Sequence, residues 1–305
     1  MDYTTVTSLF ENKGISFLTD EPLSSHSTFK VGGKADLFVA PSDREELVRT
    51  IRALAENEIK FFVIGKGSNV LFDDDGYRGA VISTEKLNRS FVEGEKIHAE
   101  CGASFTNLSV LAEKNSLTGL EFAYGIPGSV GGAVFMNAGA YGGEVSDILE
   151  FSEVLDYSDP SRLNIFAIDA AEHKLGYRDS VLRHNPTWLH LSSCFKLKKG
   201  DRAEIKKTMD DYMSRRRDKQ PLEFPSAGST FKRPVGHFTG ALVEASGLKG
   251  FSIGGAQVSK KHAGFVINRG GATCSDILAL IEHVKETVFK DHGVSLECEV
   301  IYVAP

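Results

Sequence analysis

Short apolar runs and one amphipathic stretch dominate the first eighty residues of the chain. Three runs have the length and apolar content of strands: ADLFVA (35–40), FFVIG (61–65) and GAVIS (79–83). Between the first two runs, apolar residues recur at the spacing of one helix face: Leu47, Val48, Ile51 and Leu54. Ser42 and Glu45 predict a capping box at the start of this helix. The β-α-β order indicates a small α/β domain.

The C-terminal third of the chain has the clearest helical patterns. Residues 203–217 predict a helix with a basic C-terminal end, whose inward positions are Ile205, Met209, Tyr212 and Met213. A short helix is predicted over residues 238–247. Residues 273–292 predict a long amphipathic helix, which Thr273 or Ser275 caps.

The middle and the end of the chain predict strands. Between residues 80 and 200 the pattern indicates strands and glycine-rich loops, with one helix near 105–115. The final segment SLECEVIYV (295–303) predicts a strand. Alternation along that strand would place Glu297 and Glu299 on one face, roughly 6.6 Å apart. The ordinary alternative is a pair of solvated surface acids.

Composition and charge narrow the class of protein. The 305 residues are 41% hydrophobic and 25% charged, which is ordinary for a globular protein of two or three domains. The formal net charge of −6 argues against bulk binding of nucleic acid or anionic membranes. No long apolar run begins the chain, so we expect neither a signal peptide nor membrane insertion. Four scattered cysteines without a CxxC pair favour buried thiols in a reduced, cytoplasmic setting over a disulfide framework or a metal site.

Two glycine-rich segments are candidates for binding a phosphate-bearing cofactor. GKGSN (65–69) follows a predicted strand, and its glycines would let backbone N–H groups approach an anion. This segment lacks the order of a Walker A loop and the third glycine of a Rossmann fingerprint. Taken alone, it fits a structural strand-to-loop turn equally well.

The second segment, YGIPGSVGGAVFMNAGAYGG (124–143), holds seven glycines with small or apolar residues between them. Such a stretch can pass closely around a rigid cofactor and donate N–H groups to a pyrophosphate. A flexible linker is disfavoured, because it would leave residues such as Ile126 and Phe135 exposed to water.

Two further loops carry side chains suited to catalysis. Arg178 lies in LGYRDSVLRHN (175–185), where an arginine is by default a surface or ion-paired residue. Ser229 lies in PSAGSTFKRP (225–234), where a serine is by default a turn residue. No GxSxG elbow is present, so this serine does not indicate a hydrolase nucleophile.

Taken together, these motifs resemble those of the UDP-N-acetylenolpyruvoylglucosamine reductase family. The resemblance runs over about residues 24–303 and includes STFKVGGKADLFVAP (27–41), both glycine-rich segments, YRDS and AGSTFK. It continues through GGAQVSKKHAGFVINRGGATCSDIL (254–278) and the final LECEV. Residues 178–210 are too few to hold the long tyrosine-bearing insertion of some relatives, so the chain resembles the shorter form of the enzyme.

The resemblance implies roles for individual residues. Catalytic roles fall on Arg178, which would grip a carboxylate or enolate, on Ser229 as a proton donor, and on Glu299, the second acid of LECEV. Tyr177 and Lys219 are implied substrate contacts, with Lys219 near the diphosphate. The implied contacts to FAD are Gly65, Gly67, Ser68, Asn69, Gly128, Ser129 and Gly132.

The implied fold is α+β. It combines the FAD-binding fold of the vanillyl-alcohol-oxidase type, which has two α/β subdomains, with a C-terminal α/β substrate-binding domain. We expect the first subdomain over residues 1–80, completed by 296–305, and the second over 81–215. The substrate-binding domain is expected over 216–295.

The implied reaction has two halves with small-molecule substrates. NADPH reduces FAD and leaves, and UDP-N-acetylglucosamine enolpyruvate then receives the hydride at its vinyl carbon. Ser229 would protonate the adjacent carbon to give UDP-N-acetylmuramate for peptidoglycan synthesis. Two other functions stay open: an FAD-dependent oxidase of a small alcohol, which would not need NADPH, and a non-enzymatic sugar-nucleotide binding protein. The motifs around Ser229 and Glu299 argue against the oxidase.

Overall fold

The computed structural model describes residues 3–305, and these form a mixed α+β protein as predicted. The described residues contain eight α-helices: α1 (Thr4–Asn12), α2 (Arg44–Glu56), α3 (Phe105–Lys114), α4 (Val130–Phe135), α5 (Val181–His184), α6 (Arg202–Lys219), α7 (Thr239–Ala245) and α8 (Cys274–His292). Short 3-10 helices lie at Leu23–His26, Glu121–Ala123, Val145–Asp147 and Pro160–Arg162.

The strands of the described residues are short, and most join antiparallel sheets. They are β1 (Phe17–Pro22), β2 (Lys34–Val39), β3 (Phe61–Ile64), β4 (Val70–Phe72), β5 (Tyr77–Ser83), β6 (Ser90–Glu93), β7 (Lys96–Glu100), β8 (Leu117–Thr118), β9 (Gly139–Ala140), β10 (Gly143–Glu144), β11 (Leu149–Asp156), β12 (Asn164–Asp169), β13 (Trp188–Lys196), β14 (Lys198–Lys199), β15 (Ser252–Ile253), β16 (Ala256–Val258), β17 (Val266–Asn268) and β18 (Ile301–Val303).

Most predicted elements form where the sequence places them. Strands β2, β3 and β5 and helices α2, α3, α6, α7 and α8 all lie within the predicted segments or within a few residues of them. Thr273 is the cap of α8, since its hydroxyl accepts the Asp276 N–H (3.0 Å) while the Asp276 carboxylate accepts the Thr273 N–H (3.1 Å). Gly293 ends the helix with φ of 67°, a left-handed conformation that suits glycine.

The predicted cap of α2 was wrong by one residue. Asp43 caps this helix, and its carboxylate accepts the Glu46 N–H at 2.8 Å. Ser42 lies outside the helix and donates its backbone N–H to the Glu46 carboxylate at 2.9 Å. Asp43 has the extended backbone of an N-cap residue (φ −153°, ψ 174°) and stands three residues before Glu46, whose N–H it accepts, so it takes the cap position.

The final strand is shorter than predicted, and five strands were not predicted: β1, β4, β15, β16 and β17. Only Ile301–Val303 is a strand, β18, whereas residues 295–300 are irregular apart from a single bridge between Cys298 and Phe231. The predicted alternation of Glu297 and Glu299 along one strand face was therefore wrong. Strand β18 pairs in parallel with β4, one of the strands that were not predicted.

The described chain is divided into two compact units. Among the described residues, unit 1 comprises residues 3–19, 37–66 and 79–215, and unit 2 comprises residues 20–36, 67–78 and 216–305. The chain passes from one unit to the other within β1, β2, β5 and α6, and also between Lys66 and Gly67 in the first glycine-rich segment. The three-domain division given above stays a prediction.

Unit 1 is built on a five-stranded antiparallel sheet of order β12-β11-β13-β7-β6. Helices α3 and α4 cover one face of this sheet through an apolar core that includes Phe105, Leu108, Val130, Val134 and Phe195. A second core joins α1 and α2 to β3 and β5, which pair in parallel. These two cores place the end of β3, where the first glycine-rich segment begins, in the same unit as the start of α4, which lies in the second glycine-rich segment.

Unit 2 contains the β15-β16-β17 antiparallel sheet and the β4–β18 parallel pair. The apolar face of α8 packs on its core through Ile277, Leu280, Ile281, Val284 and Val288. Ala227 and Phe231, which flank Ser229, belong to the same core. The core thereby supports the loop that carries the predicted proton donor.

No helix among residues 3–305 combines the length and the apolar character that a bilayer crossing requires. Cys101, Cys194 and Cys274 are buried as predicted, and Cys298 is half-buried. Burial raises the pKa of the Cys101, Cys194 and Cys274 thiols to about 12, so these thiols stay protonated at neutral pH.

Candidate active site

The two glycine-rich segments meet in unit 1 at Gly65 and Ser129. Gly65 directly follows β3, and a Cβ built on it would lie 2.0 Å from the Ser129 Oγ. Ser129 is buried and caps α4, where its hydroxyl accepts the Gly132 N–H at 3.3 Å. This close approach of a strand end to a helix start requires glycine at position 65, and the predicted contact of Gly65 with the cofactor stays a prediction.

Backbone hydrogen bonds fix the loop that precedes α4. The Gly128 carbonyl accepts the Phe105 N–H (3.0 Å), and the N–H groups of Val130 and Gly131 donate to the carbonyls of Ala103 and Cys101 (both 2.8 Å). All three bonds join the loop to the start of α3. The segment is therefore ordered backbone and not a linker, in agreement with the prediction.

At position 132, unlike position 65, the packing of the protein does not require a glycine. Gly132 lies in the first turn of α4, and a Cβ built on it would meet the Ser129 Oγ at 3.5 Å, an ordinary contact. Alanine is favoured over glycine in a helix by roughly 0.5–1 kcal/mol. A glycine kept there leaves space beside the helix that a ligand can use.

The predicted catalytic arginine lies at the tip of a tight turn in unit 1. Gly176 and Asp179 donate their N–H groups to each other's carbonyls at 3.1 Å, which leaves Tyr177 and Arg178 at the tip. Arg178 adopts a left-handed conformation with φ of 56°. Its guanidinium lies 5.0 Å from the centre of the exposed Tyr177 ring.

The attachment of this turn to the glycine-rich segment was not predicted. Ser180 donates its hydroxyl to the carbonyl of Phe135, the last residue of α4, at 2.8 Å. Asn137 donates its side-chain amide to the Gly176 carbonyl at 2.9 Å. The only available signal was an asparagine within MNAG, since asparagine tolerates the left-handed backbone that Asn137 adopts.

Two buried histidines lie beneath the same glycine-rich helix. His190 Nδ1 lies 3.3 Å from the position of a Cβ on Gly131, and His190 Nε2 lies 2.6 Å from the Ser193 Oγ. Burial lowers the pKa of His190 to about 3, with a smaller contribution from the nearby His173, and burial lowers the pKa of His173 to about 4. Both imidazoles are therefore neutral in the folded protein at neutral pH.

We expect these histidines to make the protein acid-sensitive. In the unfolded chain both histidines have pKa values of about 6.5. As the pH drops below that value, protons bind to the unfolded state before they bind to the folded state. The free energy of unfolding therefore decreases until the pH reaches the pKa values of the folded protein. Urea unfolding between about pH 7 and pH 4 should show the free energy of unfolding dropping by a few kcal/mol. His190→Gln removes one titrating group and should flatten the slope; equal slopes in both proteins would contradict this assignment.

In unit 2, the rest of the first glycine-rich segment contacts the chain around Glu299. Gly67 has φ of 57°, and its carbonyl accepts the Thr28 N–H at 3.0 Å. Asn69 donates its side-chain amide to the Glu299 carbonyl at 3.2 Å, and its own carbonyl accepts the Ile301 N–H at 3.0 Å. A predicted cofactor contact and a predicted catalytic acid are thus brought together.

Ser229 directly precedes a residue that bonds to the Glu299 segment. Its side chain is exposed, and Gly228 precedes it with φ of 77°. The next residue, Thr230, is fully buried: its N–H donates to the Gly264 carbonyl (2.9 Å), its hydroxyl accepts the Val266 N–H (2.8 Å), and its carbonyl accepts the Glu299 N–H (2.8 Å). Thr230, which the sequence did not single out, connects the Ser229 loop to the Glu299 segment.

The remaining predicted residues lie further along unit 2. Lys219 is exposed in the last turn of α6, and its charge is one of the groups that lower the pKa of His262, after burial as the main cause. Glu297, the first acid of LECEV, is exposed and forms an ion pair with Lys232. Ser68 is half-buried between Gly67 and Asn69.

Comparison with known proteins gives matches over nearly the whole chain. Residues 35–160 match the family model of an FAD binding domain, and residues 220–303 match that of the C-terminal domain of UDP-N-acetylenolpyruvoylglucosamine reductase. The curated reductase of Caldanaerobacter subterraneus subsp. tengcongensis is 47% identical over 92% of this chain and 91% of its own length. The reductase of Clostridium beijerinckii is 49% identical over 96% of this chain and 94% of its own length.

A solved structure agrees with these matches. The crystal structure of the reductase from Thermus caldophilus superposes with a TM-score of 0.80 at 33% sequence identity. The superposition covers 94% of this chain and 98% of that one.

Proposed function

Because this chain belongs to the UDP-N-acetylenolpyruvoylglucosamine reductase family, we propose that it reduces UDP-N-acetylglucosamine enolpyruvate to UDP-N-acetylmuramate with NADPH. The observation that carries the proposal is 47–50% identity with curated reductases over 91–96% of the chain. The product is a peptidoglycan precursor, so the protein serves cell-wall synthesis. On the same family grounds we place it in the cytoplasm.

The residues present fit FAD as the cofactor. The matched FAD-binding region contains Gly65 and the whole 124–143 segment, and Gly132 keeps open a space that a Cβ would fill. Backbone donors and small side chains suit a pyrophosphate, which needs close approach and N–H groups. When bound, FAD supplies hydride transfer from NADPH to the vinyl carbon of the substrate.

We expect Gly132→Ala to separate cofactor binding from folding. The methyl group makes only an ordinary contact within the protein and improves helix propensity, so the apoprotein should unfold at the same or a slightly higher temperature. If FAD uses this space, its Kd should rise at least about tenfold, or roughly 1.4 kcal/mol. Fluorescence titration of apoprotein with FAD gives the Kd.

Gly65→Ala is the contrasting variant for the same measurements. Its methyl would lie 2.0 Å from the Ser129 Oγ, so the apoprotein itself should lose stability. A Gly132→Ala protein that binds FAD as tightly as the parent would contradict the assignment of this space to the cofactor.

The protein's own groups act on the substrate by charge and proton transfer. Arg178 is proposed to hold the substrate carboxylate and to stabilise the negative charge that grows on it during reduction. Glu299, with its carboxyl protonated, is proposed to share that charge. Ser229 is proposed to donate the proton from its hydroxyl to the carbon next to the carboxylate. Tyr177 and Lys219 are proposed substrate contacts, with Lys219 at the diphosphate.

An absorption experiment tests the proposed function. The purified protein should be yellow, and acid precipitation should release all of the FAD, because the proposal includes no covalent link. Under anaerobic conditions NADPH should remove the visible absorbance within the time of a turnover. A colourless protein, or a flavin that NADPH leaves unchanged while a small alcohol bleaches it, would contradict the proposal.

A further inference from the structure

The turn that carries Arg178 is attached on both sides to the end of α4. On the N-terminal side, Asn137 Nδ2 donates to the Gly176 carbonyl at 2.9 Å. On the C-terminal side, Ser180 Oγ donates to the Phe135 carbonyl at 2.8 Å. Both bonds fall just outside the two-residue tip, so they hold its base without contacting the arginine side chain.

Asn137 is suited to this attachment in three ways. It is fully buried, and its backbone adopts φ of 42°, which asparagine tolerates better than most residues. Its Oδ1 accepts the Ser146 N–H at 2.9 Å while its Nδ2 donates to Gly176. The single buried side-chain amide of Asn137 therefore accepts a hydrogen bond from the Ser146 loop and donates one to the Gly176 loop. An aspartate could only accept, and a leucine could do neither.

The attachment joins two parts of the proposed site. Helix α4 begins at the Gly128–Gly132 segment, proposed to contact the cofactor, and ends at Phe135, only two residues before Asn137. The Arg178 tip is thus connected to the cofactor segment through one short helix and two hydrogen bonds, all within unit 1. A displacement of about 1 Å in a catalytic group can lower a rate by about 100-fold, so such an attachment has a large effect on catalysis.

We propose that Asn137 is a positioning residue that sets the placement of Arg178 relative to the cofactor-binding helix. The proposal rests on the proposed catalytic role of Arg178. Asn137 does not itself contact the substrate. Its effect on the rate passes through the guanidinium that it places.

Asn137→Asp is the direct test. Aspartate is almost the same size and still accepts the Ser146 N–H, but it cannot donate to Gly176, and its oxygen faces that carbonyl instead. We expect kcat to fall about 10- to 100-fold with FAD retained. Asn185→Asp is the matched control: it removes a similar amide bond, 2.8 Å to the Val181 carbonyl, within α5. The control should change kcat less than about twofold.

Ser180→Ala provides a second variant if the aspartate protein does not fold. It removes the other bond of the attachment without placing a charge in the interior. We expect a smaller loss of kcat, about 3- to 10-fold, consistent with one neutral hydrogen bond. A folded Asn137→Asp protein with unchanged kcat would overturn the proposal. If the Asn137→Asp protein does not fold, a folded Ser180→Ala protein with unchanged kcat would overturn it.

A double-mutant cycle separates positioning from general structural support. In an Arg178→Ala background no guanidinium remains to be placed, so Asn137→Asp should change the remaining rate less than about twofold. If Asn137 acts only on folding or on FAD binding, the two losses should multiply, and that result overturns the inference. If Arg178→Ala alone leaves kcat unchanged, the proposed role of Arg178 fails, and this outcome is visible in the single variant. Bound flavin and the unfolding temperature are recorded for all four proteins.

Discussion

Ser229→Ala is expected to separate the two halves of the reaction. Reduction of the bound flavin by NADPH needs no proton from this hydroxyl and should proceed at close to the parent rate. Reduction of the enolpyruvyl group needs a proton donor and should slow by about 10²- to 10⁴-fold, the usual range for a lost acid–base group. The side chain is exposed, so its truncation should leave the loop and the bound FAD in place. Anaerobic stopped-flow absorbance follows both halves in one protein.

Ser226→Ala is the matched control for this substitution. It removes a serine hydroxyl three residues upstream in the same loop. The Ser226 backbone carbonyl accepts a hydrogen bond from the Thr28 hydroxyl at 2.7 Å, and alanine keeps this bond. Both rates of this control should stay within about twofold of the parent, the spread expected from a hydroxyl with no role in proton transfer. If Ser229→Ala slows both halves together, or neither, then Ser229 is a turn residue and not the proton donor.

Arg178→Gly is expected to stabilise the protein while it abolishes most of the activity. Arg178 has φ of 56°, a conformation that costs a non-glycine residue roughly 1–2 kcal/mol and costs glycine nothing. The free energy of unfolding should therefore rise by up to about 1 kcal/mol, because the greater freedom of glycine in the unfolded chain offsets part of the gain. Turnover should fall about 10²- to 10³-fold, the usual loss when one group that stabilises developing charge is removed.

Arg178→Ala and Arg178→Lys show which part of the arginine matters. Alanine keeps the backbone strain and removes the guanidinium, so stability should stay close to that of the parent while turnover falls as in the glycine variant. Lysine keeps the charge and loses the planar fork, so it should recover only part of the rate. Arg162→Ala, at an exposed position of the same unit, is the control for loss of a positive charge. Loss of FAD with normal turnover of the remaining holoenzyme would assign Arg178 to the cofactor instead.

Local patterns in the sequence were sufficient for most of the secondary structure. The spacing of Leu47, Ile51 and Leu54 predicted a helix because a surface helix buries one face, and all three residues are buried. Thr273, one of the two predicted caps, begins α8, and the helix ends at His292 as predicted, since capping depends on neighbours within one turn. These signals are short-range, and the tertiary fold leaves them unchanged.

Features that depend on distant parts of the chain could not be predicted in the same way. Alternation at Glu297 and Glu299 assumed a regular strand, but the Glu299 N–H and carbonyl bond to Thr230 and Asn69 instead. The role of Asn137 depends on Gly176, 39 residues later, and no local pattern encodes that contact. No local pattern around His190 predicts that its imidazole lies against Gly131. The catalytic residues came from family resemblance, and their roles await the substitutions above.

The central claim is that this protein reduces an enolpyruvyl sugar nucleotide, and one single-turnover experiment tests it most directly. The holoenzyme is first reduced with one equivalent of NADPH in the absence of oxygen and is then mixed with UDP-N-acetylglucosamine enolpyruvate. The flavin absorbance should return, with one UDP-N-acetylmuramate formed for each flavin and, in D₂O, deuterium on the carbon next to the carboxylate. A flavin that stays reduced with this substrate and is reoxidised only when oxygen is admitted would contradict the claim.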